Sequence, residues 1–258
     1  MSAPRAGRGR DRLVLLHAER DLIVIDKPAG LLTMPSAPGR GEHEDSVLAR
    51  AREYARHKRG RQAYVGLLHR LDRGTSGALA VALSHDVHAE GRLLFKAHRF
   101  DRTYLALVSG VPEPREGTID RPISADYRDG RRAVAKATAE ALPARTHYRV
   151  REQFGNQSAL LELTLETGRQ HQIRLHLASI GHPVLDDRVY GPSSESAKRT
   201  DRPMLHAWRL AFPHPLTGHR VAVEAPLPRD FRARLTRMRA DVEGRRLGAA
   251  GRAAAIDD

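Results

Sequence analysis

The run Ala78-Leu79-Ala80-Val81-Ala82-Leu83 constrains this chain more than any other stretch. It is apolar at every position and follows directly on Gly74-Thr75-Ser76-Gly77, so it reads as a buried strand entered from a tight loop. The residues ahead of it, His69-Arg70-Leu71-Asp72-Arg73, then sit in a loop at the mouth of a sheet, with one carboxylate between two arginines. Opposite charge nearby favours the ionised carboxylate, which suits Asp72 to act as a nucleophile, a base or an ion-pair partner.

Strands and helices alternate around this feature. Residues 21–26 read as a strand that stops at Lys27-Pro28-Ala29-Gly30, a turn by its Pro and Gly. A polar helix is expected over 45–59, and another over 85–97, where Val87 and Leu94 share a face. Residues 103–109, 146–151 and 161–166 read as strands; in the last, Leu161, Leu163 and Leu165 point one way and Glu162, Thr164 and Glu166 the other. Strands this close in sequence predict an α+β fold, with a mixed, mostly antiparallel sheet and flanking helices. Gly, Ala and Arg crowd both ends, so residues 1–12 are expected to be a disordered basic arm and 244–258 a disordered tail, with one domain over 13–243.

Composition narrows the partners. Lys and Arg outnumber Asp and Glu 44 to 31, a net charge of +13, which points to a polyanion such as RNA. The alternative is genomic base composition, since only residues 27, 58, 96, 136 and 198 are lysine. The absence of cysteine excludes disulfides, thiolate metal sites and cysteine nucleophiles. No apolar run approaches the roughly 20 residues that span a bilayer. Leu13-Val14-Leu15-Leu16 is interrupted by His17 and forms no signal segment, so a cytoplasmic protein without membrane attachment is expected. No phosphate loop, dinucleotide fingerprint or nucleophile elbow is present, and His171, His176 and His182 lack metal-ligand spacing. Neither a cofactor nor a metal is expected.

A second dense segment follows the strand at 161–166. In Thr167-Gly168-Arg169-Gln170-His171-Gln172-Ile173-Arg174-Leu175-His176-Leu177, Gly168 turns the chain and a helix starts near His171. Ile173, Leu177 and Ile180 fall on one stripe, Gly181 caps the end and Pro183 stops it. Arg174 in the first turn is either a partner for a carboxylate across the sheet or an ordinary solvated helix arginine.

Five ordered segments carry a resemblance. Asp26 to Gly30, His69 to Gly77, Tyr104 within Arg102 to Val108, Thr167 to His176 with Gly181-His182-Pro183, and Leu205-His206-Ala207 through Phe212-Pro213-His214-Pro215 together resemble the RluA-type family of RNA pseudouridine synthases, over Leu13 to Pro226. The resemblance implies an isomerase that breaks the ribose C1′ to uracil N1 bond, turns the base and rejoins it through C5, with no cofactor. It implies that Asp72 is the catalytic carboxylate, that Arg174 pairs with it, and that Tyr104 lies over the uracil; read alone, Tyr104 is a core tyrosine on a strand. Arg70 is implied to fill the stack vacated by a flipped uridine, with His69, Arg73, Arg169, His171 and Ile173 also against RNA or base. The implied substrate is ribosomal or transfer RNA, bound by a monomer whose catalytic domain stands without an S4 domain.

Three positions depart from the family's pattern: Gln170 for threonine, Asp186 for glycine, and Gly74 for a polar residue or proline. If position 186 needs a positive φ, Asp186 is restricted there. A non-catalytic RNA-binding or RNA-chaperone protein on the same fold is the alternative expectation, and a metal-dependent phosphodiesterase using the histidines a more remote one.

Overall fold

A computed structural model describes residues 13–35, 45–124, 133–134, 141–191 and 202–254. In chain order the first elements are β1 (Val14–Ala18), β2 (Leu22–Lys27), α1 (Val47–Arg59), β3 (Gly66–Leu67), β4 (Ser76–Ala82), α2 (His85–Lys96) and β5 (Asp101–Ser109). There follow β6 (Glu116–Asp120), β7 (Arg145–Phe154), β8 (Ser158–Leu165), α3 (Gln172–Ser179), β9 (Leu205–Pro213), β10 (Arg220–Glu224) and α4 (Arg229–Ala254). The fold is α+β and its sheet pairing is mostly antiparallel. The chain divides into two compact units, one of residues 1–103 with 207–226, the other of 104–206 with 227–258.

In the first unit, β4 lies between β2 and β9, and every one of its residues is buried. Pairing with β2 runs antiparallel from Leu22 opposite Ala82 to Lys27 opposite Gly77. The alternation in β4 has a packing reason. Ala78, Ala80 and Ala82 share one face, and their small side chains admit the core of Leu22, Val24, Val87, Phe100 and Phe212. There the rings of Phe100 and Phe212 stack with centroids 4.3 Å apart. Gly77 enters the strand at φ 115°, and a Cβ there would stand 2.1 Å from the Ala207 carbonyl oxygen. Only glycine fits that approach.

Both helices of this unit start on a serine. Ser46 Oγ accepts from Ala49 N at 3.2 Å, and Ser84 Oγ accepts from Val87 N at 3.3 Å. Each satisfies one of the amide groups that a helix start leaves without an internal partner.

The second unit is built on the meander β6–β7–β8, with β5 beside β8. A bulge between Val150 and Glu152 shifts the β7–β8 register. Against this sheet α3 departs from the single buried stripe expected of it: Gln172, Ile173, Arg174, Leu175, His176 and Leu177 are all buried. The polar members tolerate this because each has partners. Gln172 Nε2 donates to the Arg145 carbonyl and Thr146 Oγ1, and the His176 ring nitrogens meet Thr146 Oγ1 and the Arg121 carbonyl, both at 2.9 Å. Gly181, at φ 84°, ends the helix as expected, and His182 N donates back to the Leu177 carbonyl at 2.9 Å.

On α4, Phe231, Leu235 and Met238 form a buried stripe at helical spacing. The helix continues through Ala254, so the segment from 244 onward, expected as a disordered tail, begins inside a helix. The arm at 1–12 and residues 255–258 lie outside the described residues. No helix among the described residues is long and apolar enough to cross a membrane.

Candidate active site

The Asp72 loop belongs to the first unit and is clamped from two sides. Thr75 N donates to the Asp72 carbonyl at 3.0 Å, closing a turn around Arg73 and Gly74. On one flank, Thr33 Oγ1 donates to the Leu71 carbonyl at 2.6 Å and accepts from Leu71 N at 3.2 Å. On the other, Gly30 N donates to the Arg73 carbonyl at 2.8 Å, and Arg73 Nε returns a bond to the Gly30 carbonyl at 3.0 Å. Residues 27–33 therefore act as a bracket for the loop.

Lys27 sits at the centre of this bracket with no exposed surface. A buried ammonium is costly unless it is hydrogen-bonded. Here Nζ donates to the carbonyls of Leu31 at 2.7 Å, Pro28 at 3.0 Å and Arg73 at 3.3 Å. One cation thus ties the turn after β2 to the catalytic-loop candidate. The sequence reading took this segment as a turn by its Pro and Gly and missed the lysine; its position at the end of an apolar strand was the available signal.

His69 holds the loop from beneath. Its Nε2 accepts from Ala80 N at 3.1 Å, and its ring stacks on Phe95 with centroids 5.8 Å apart. Burial, with the charge of Arg102 as a lesser cause, pushes its pKa down to about 3. Expected among the RNA-contacting residues, His69 instead turns its ring into the core and supports the loop. A prediction follows from the sign of the shift. The unfolded chain gains a proton below about pH 6.5 while folded His69 does not until about pH 3, so its contribution to stability is full above pH 6.5 and falls as pH drops through that window. Between pH 7 and pH 5 the loss is about 2 kcal/mol. Denaturant unfolding of the unaltered chain and of His69→Gln at both pH values measures it: the variant's stability is expected to be the flatter of the two.

Arg70 and Arg73 are exposed, and Asp72 is half-buried. Arg70 has no hydrogen-bond or ion-pair partner among the described residues.

The second unit carries the other candidates. Tyr104 is buried near the start of β5, and Ile173 is buried in the first turn of α3. Arg174 is fixed by Asp187: Nε and Nη2 donate to the two carboxylate oxygens at 2.6 and 2.7 Å, and the guanidinium lies 5.1 Å from the Tyr190 ring centre. Both ionic groups are almost wholly buried. Burial alone would raise the Asp187 pKa, but the Arg174 hydrogen bonds and charge, with N–H donors from Val189 and Tyr190, bring it below the ordinary carboxylate value. Arg174 is therefore not a solvated helix arginine. Asp187 was missed as its partner because it lies in a loop that local pattern cannot pair with a helix.

Left-handed backbone marks two places here. His171 precedes α3 at φ 58°, and its Nδ1 meets Tyr190 Oη at 3.0 Å. Asp186 sits at φ 62°, so this position does take the positive φ that makes glycine the easier residue. Arg169 is exposed and donates from Nε to the Pro143 carbonyl at 3.1 Å.

Among the described residues no group of three or more His, Asp or Glu side chains is placed to hold a metal. Buried His214 is one example. His214 Nδ1 accepts from the N–H groups of Leu216 and Thr217, both at 3.3 Å. Its proton then sits on Nε2, the atom that faces Glu19 and Asp21, which leaves no lone pair there for an ion.

A family model described as RNA pseudouridylate synthase matches residues 21–179, more than half of the chain. The chain belongs to the RNA pseudouridine synthases. The dual-specificity RNA pseudouridine synthase RluA of Escherichia coli K12 is 37% identical over 217 residues, covering 83% of this chain and 93% of that protein. Ribosomal large subunit pseudouridine synthase D of Nitrosomonas europaea is 39% identical over 237 residues, covering 88% of this chain and 65% of that one. Among solved structures, human RNA pseudouridylate synthase domain containing 4 superposes with a TM-score of 0.72 at 27% identity, covering 88% of this chain and 93% of the human one. This pseudouridine synthase thus has the fold and the enzyme class that its five motifs imply.

Proposed function

We propose that this RNA pseudouridine synthase isomerises uridine in ribosomal or transfer RNA, in the cytoplasm and as a monomer, with Asp72 as the carboxylate that starts cleavage of the glycosidic bond. The observation that carries the reading is the Asp72 loop itself. It is tied down by Lys27, Thr33 and His69, yet it leaves Asp72 half-buried and Arg70 exposed. A carboxylate acting beside an anomeric carbon must be held in place, because misplacement by an ångström costs orders of magnitude in rate.

The remaining roles follow the chemistry. Arg174 keeps the Asp72 carboxylate ionised and oriented. Tyr104 lies over the uracil and moves a proton during rearrangement at C5. The target uridine leaves its stack at a cost of a few kcal/mol, and the Arg70 guanidinium plane takes the vacated place. His171, Ile173, Arg169 and Arg73 contact the base and its neighbours. The reaction consumes nothing and exchanges only the C5 hydrogen, so neither a cofactor nor a metal enters it.

Ribosomal and transfer RNA carrying C5-tritiated uridine test the reading. Tritium release in chelator, with no added cofactor, is the expected result. RNA binding without release on either RNA would overturn it in favour of an RNA-binding protein on the same fold.

A further inference from the structure

The geometry of the first unit points to a second RNA contact: we infer that the exposed side of α1 is a track for RNA phosphates leading away from the Asp72 loop. This rests on the RNA reading above and adds where the flanking strand runs.

Helix α1 is anchored at both ends. At its start, Val47 N and Leu48 N donate to the carbonyls of Leu32 and Thr33 at 2.8 and 3.1 Å, and Thr33 is the residue that holds Leu71 beside Asp72. At its end, Arg59 Nη1 donates to the carbonyl of Leu83, just past β4, at 2.7 Å. The 13 residues of α1 at ~1.5 Å each span about 20 Å. The end of α1 therefore stands about 20 Å from the anchor its start shares with the catalytic loop.

The side chains along this path carry positive charge. Val47, Ala51 and Ala55 face the core, while Arg52, Arg56 and Arg59 recur at i, i+4 and i+7 on an exposed flank. Lys58 and Arg61 add two exposed cations at the helix end. Arg52, Arg56, Lys58 and Arg61 have no hydrogen-bond or ion-pair partner among the described residues. Complementing the helix dipole needs about one cation in the last turn; this one holds Arg56, His57, Lys58 and Arg59. Among the described residues, the acids on or just before α1 are Glu53 and Asp45, the latter paired with Arg50. Where the row ends, the Tyr64 and exposed His85 rings stand 3.6 Å apart, adding an aromatic surface beside the cations. Unpaired cations along a line with an aromatic pair at its end suit a nucleic-acid backbone better than an acidic protein face, which would call for partnered, directional pairs.

The test is a variant with Arg52, Arg56, Lys58 and Arg61 all changed to Gln, which keeps helix propensity and the buried stripe. Its helical circular dichroism and melting temperature are compared with those of the unaltered chain, to establish that it folds. Binding to bulk transfer RNA and to a short uridine-centred RNA oligomer is measured across a salt series. Transfer RNA binding is expected to weaken about 30-fold at low salt and to lose about 3 from its log–log salt slope, at about 0.7 to 0.9 per phosphate contact. The short oligomer, which cannot reach the end of α1, is expected to bind within about twofold of before, and tritium release from long RNA to show a raised KM. An unchanged salt slope, or equal weakening on both RNAs, would overturn the track. No tritium release from any RNA by the unaltered chain would instead sink the catalytic reading, while the binding measurements would still judge the track.

Discussion

Asp72→Asn is expected to slow tritium release from C5-labelled uridine by at least about 10³-fold at saturating RNA. The substitution removes one charge and no volume. The loop's clamps reach main-chain atoms and not the Asp72 carboxylate: Thr75 N on the Asp72 carbonyl, Thr33 on Leu71, and Lys27 and Gly30 on the Arg73 carbonyl. Melting temperature and RNA affinity should therefore change little, and the loss should lie in kcat. That separation makes the experiment decisive. A variant that binds RNA as tightly as before yet retains more than about a tenth of the rate would remove Asp72 from the chemistry, since a group acting only in the transition state lowers kcat and kcat/KM together.

What could be read ahead of the structure follows how local each signal is. The helices at 45–59 and 85–97 are seen as α1 and α2, each opened by a serine whose capping role needs only the next three residues. The β4 run was legible for the same reason, since every neighbour it needs is also apolar. Tertiary context decided the rest. Helix α3 reads as half-polar, yet it is buried because Thr146, Arg121 and Asp187 supply partners from distant segments. Gly, Ala and Arg crowd the chain from 244 onward, so composition suggested a tail where the chain continues as helix through Ala254. In the site, motif spacing selected Asp72, Arg70 and Arg174. It could not reveal that His69 faces the core, or that Lys27 and Asp187 hold the loop and the arginine. Those two act through contacts that no short window contains.

The second large effect is expected at Asp187. Replacing it by asparagine keeps the shape and leaves an oxygen for the Val189 and Tyr190 amides, which Asp187 Oδ1 now accepts at 2.9 and 3.2 Å. It removes the charge opposite Arg174 and leaves a buried guanidinium facing a neutral amide. Breaking one side of such a pair costs about 3–5 kcal/mol, because the remaining charge stays desolvated after losing its two-point partner. For a chain of this size, that corresponds to a fall of roughly 10 °C in melting temperature. The pH dependence runs in the direction set by the lowered pKa. Asp187 contributes in full above the ordinary unfolded carboxylate pKa of about 4, and its contribution is lost as pH falls through the folded value below that. This window lies below most of the one set by His69, so at pH 5 only the histidine effect should be visible. A double variant, Arg174→Met with Asp187→Asn, removes both charges, keeps an acceptor for the Val189 and Tyr190 amides, and should recover most of the lost stability, since no buried charge is then left without its partner. Its tritium release should stay lost, because the guanidinium assigned to Asp72 is gone. Recovery of activity along with stability would show that Arg174 serves the fold alone, and an Asp187→Asn cost under about 1 kcal/mol would mean that the pair is too well hydrated to behave as a buried one.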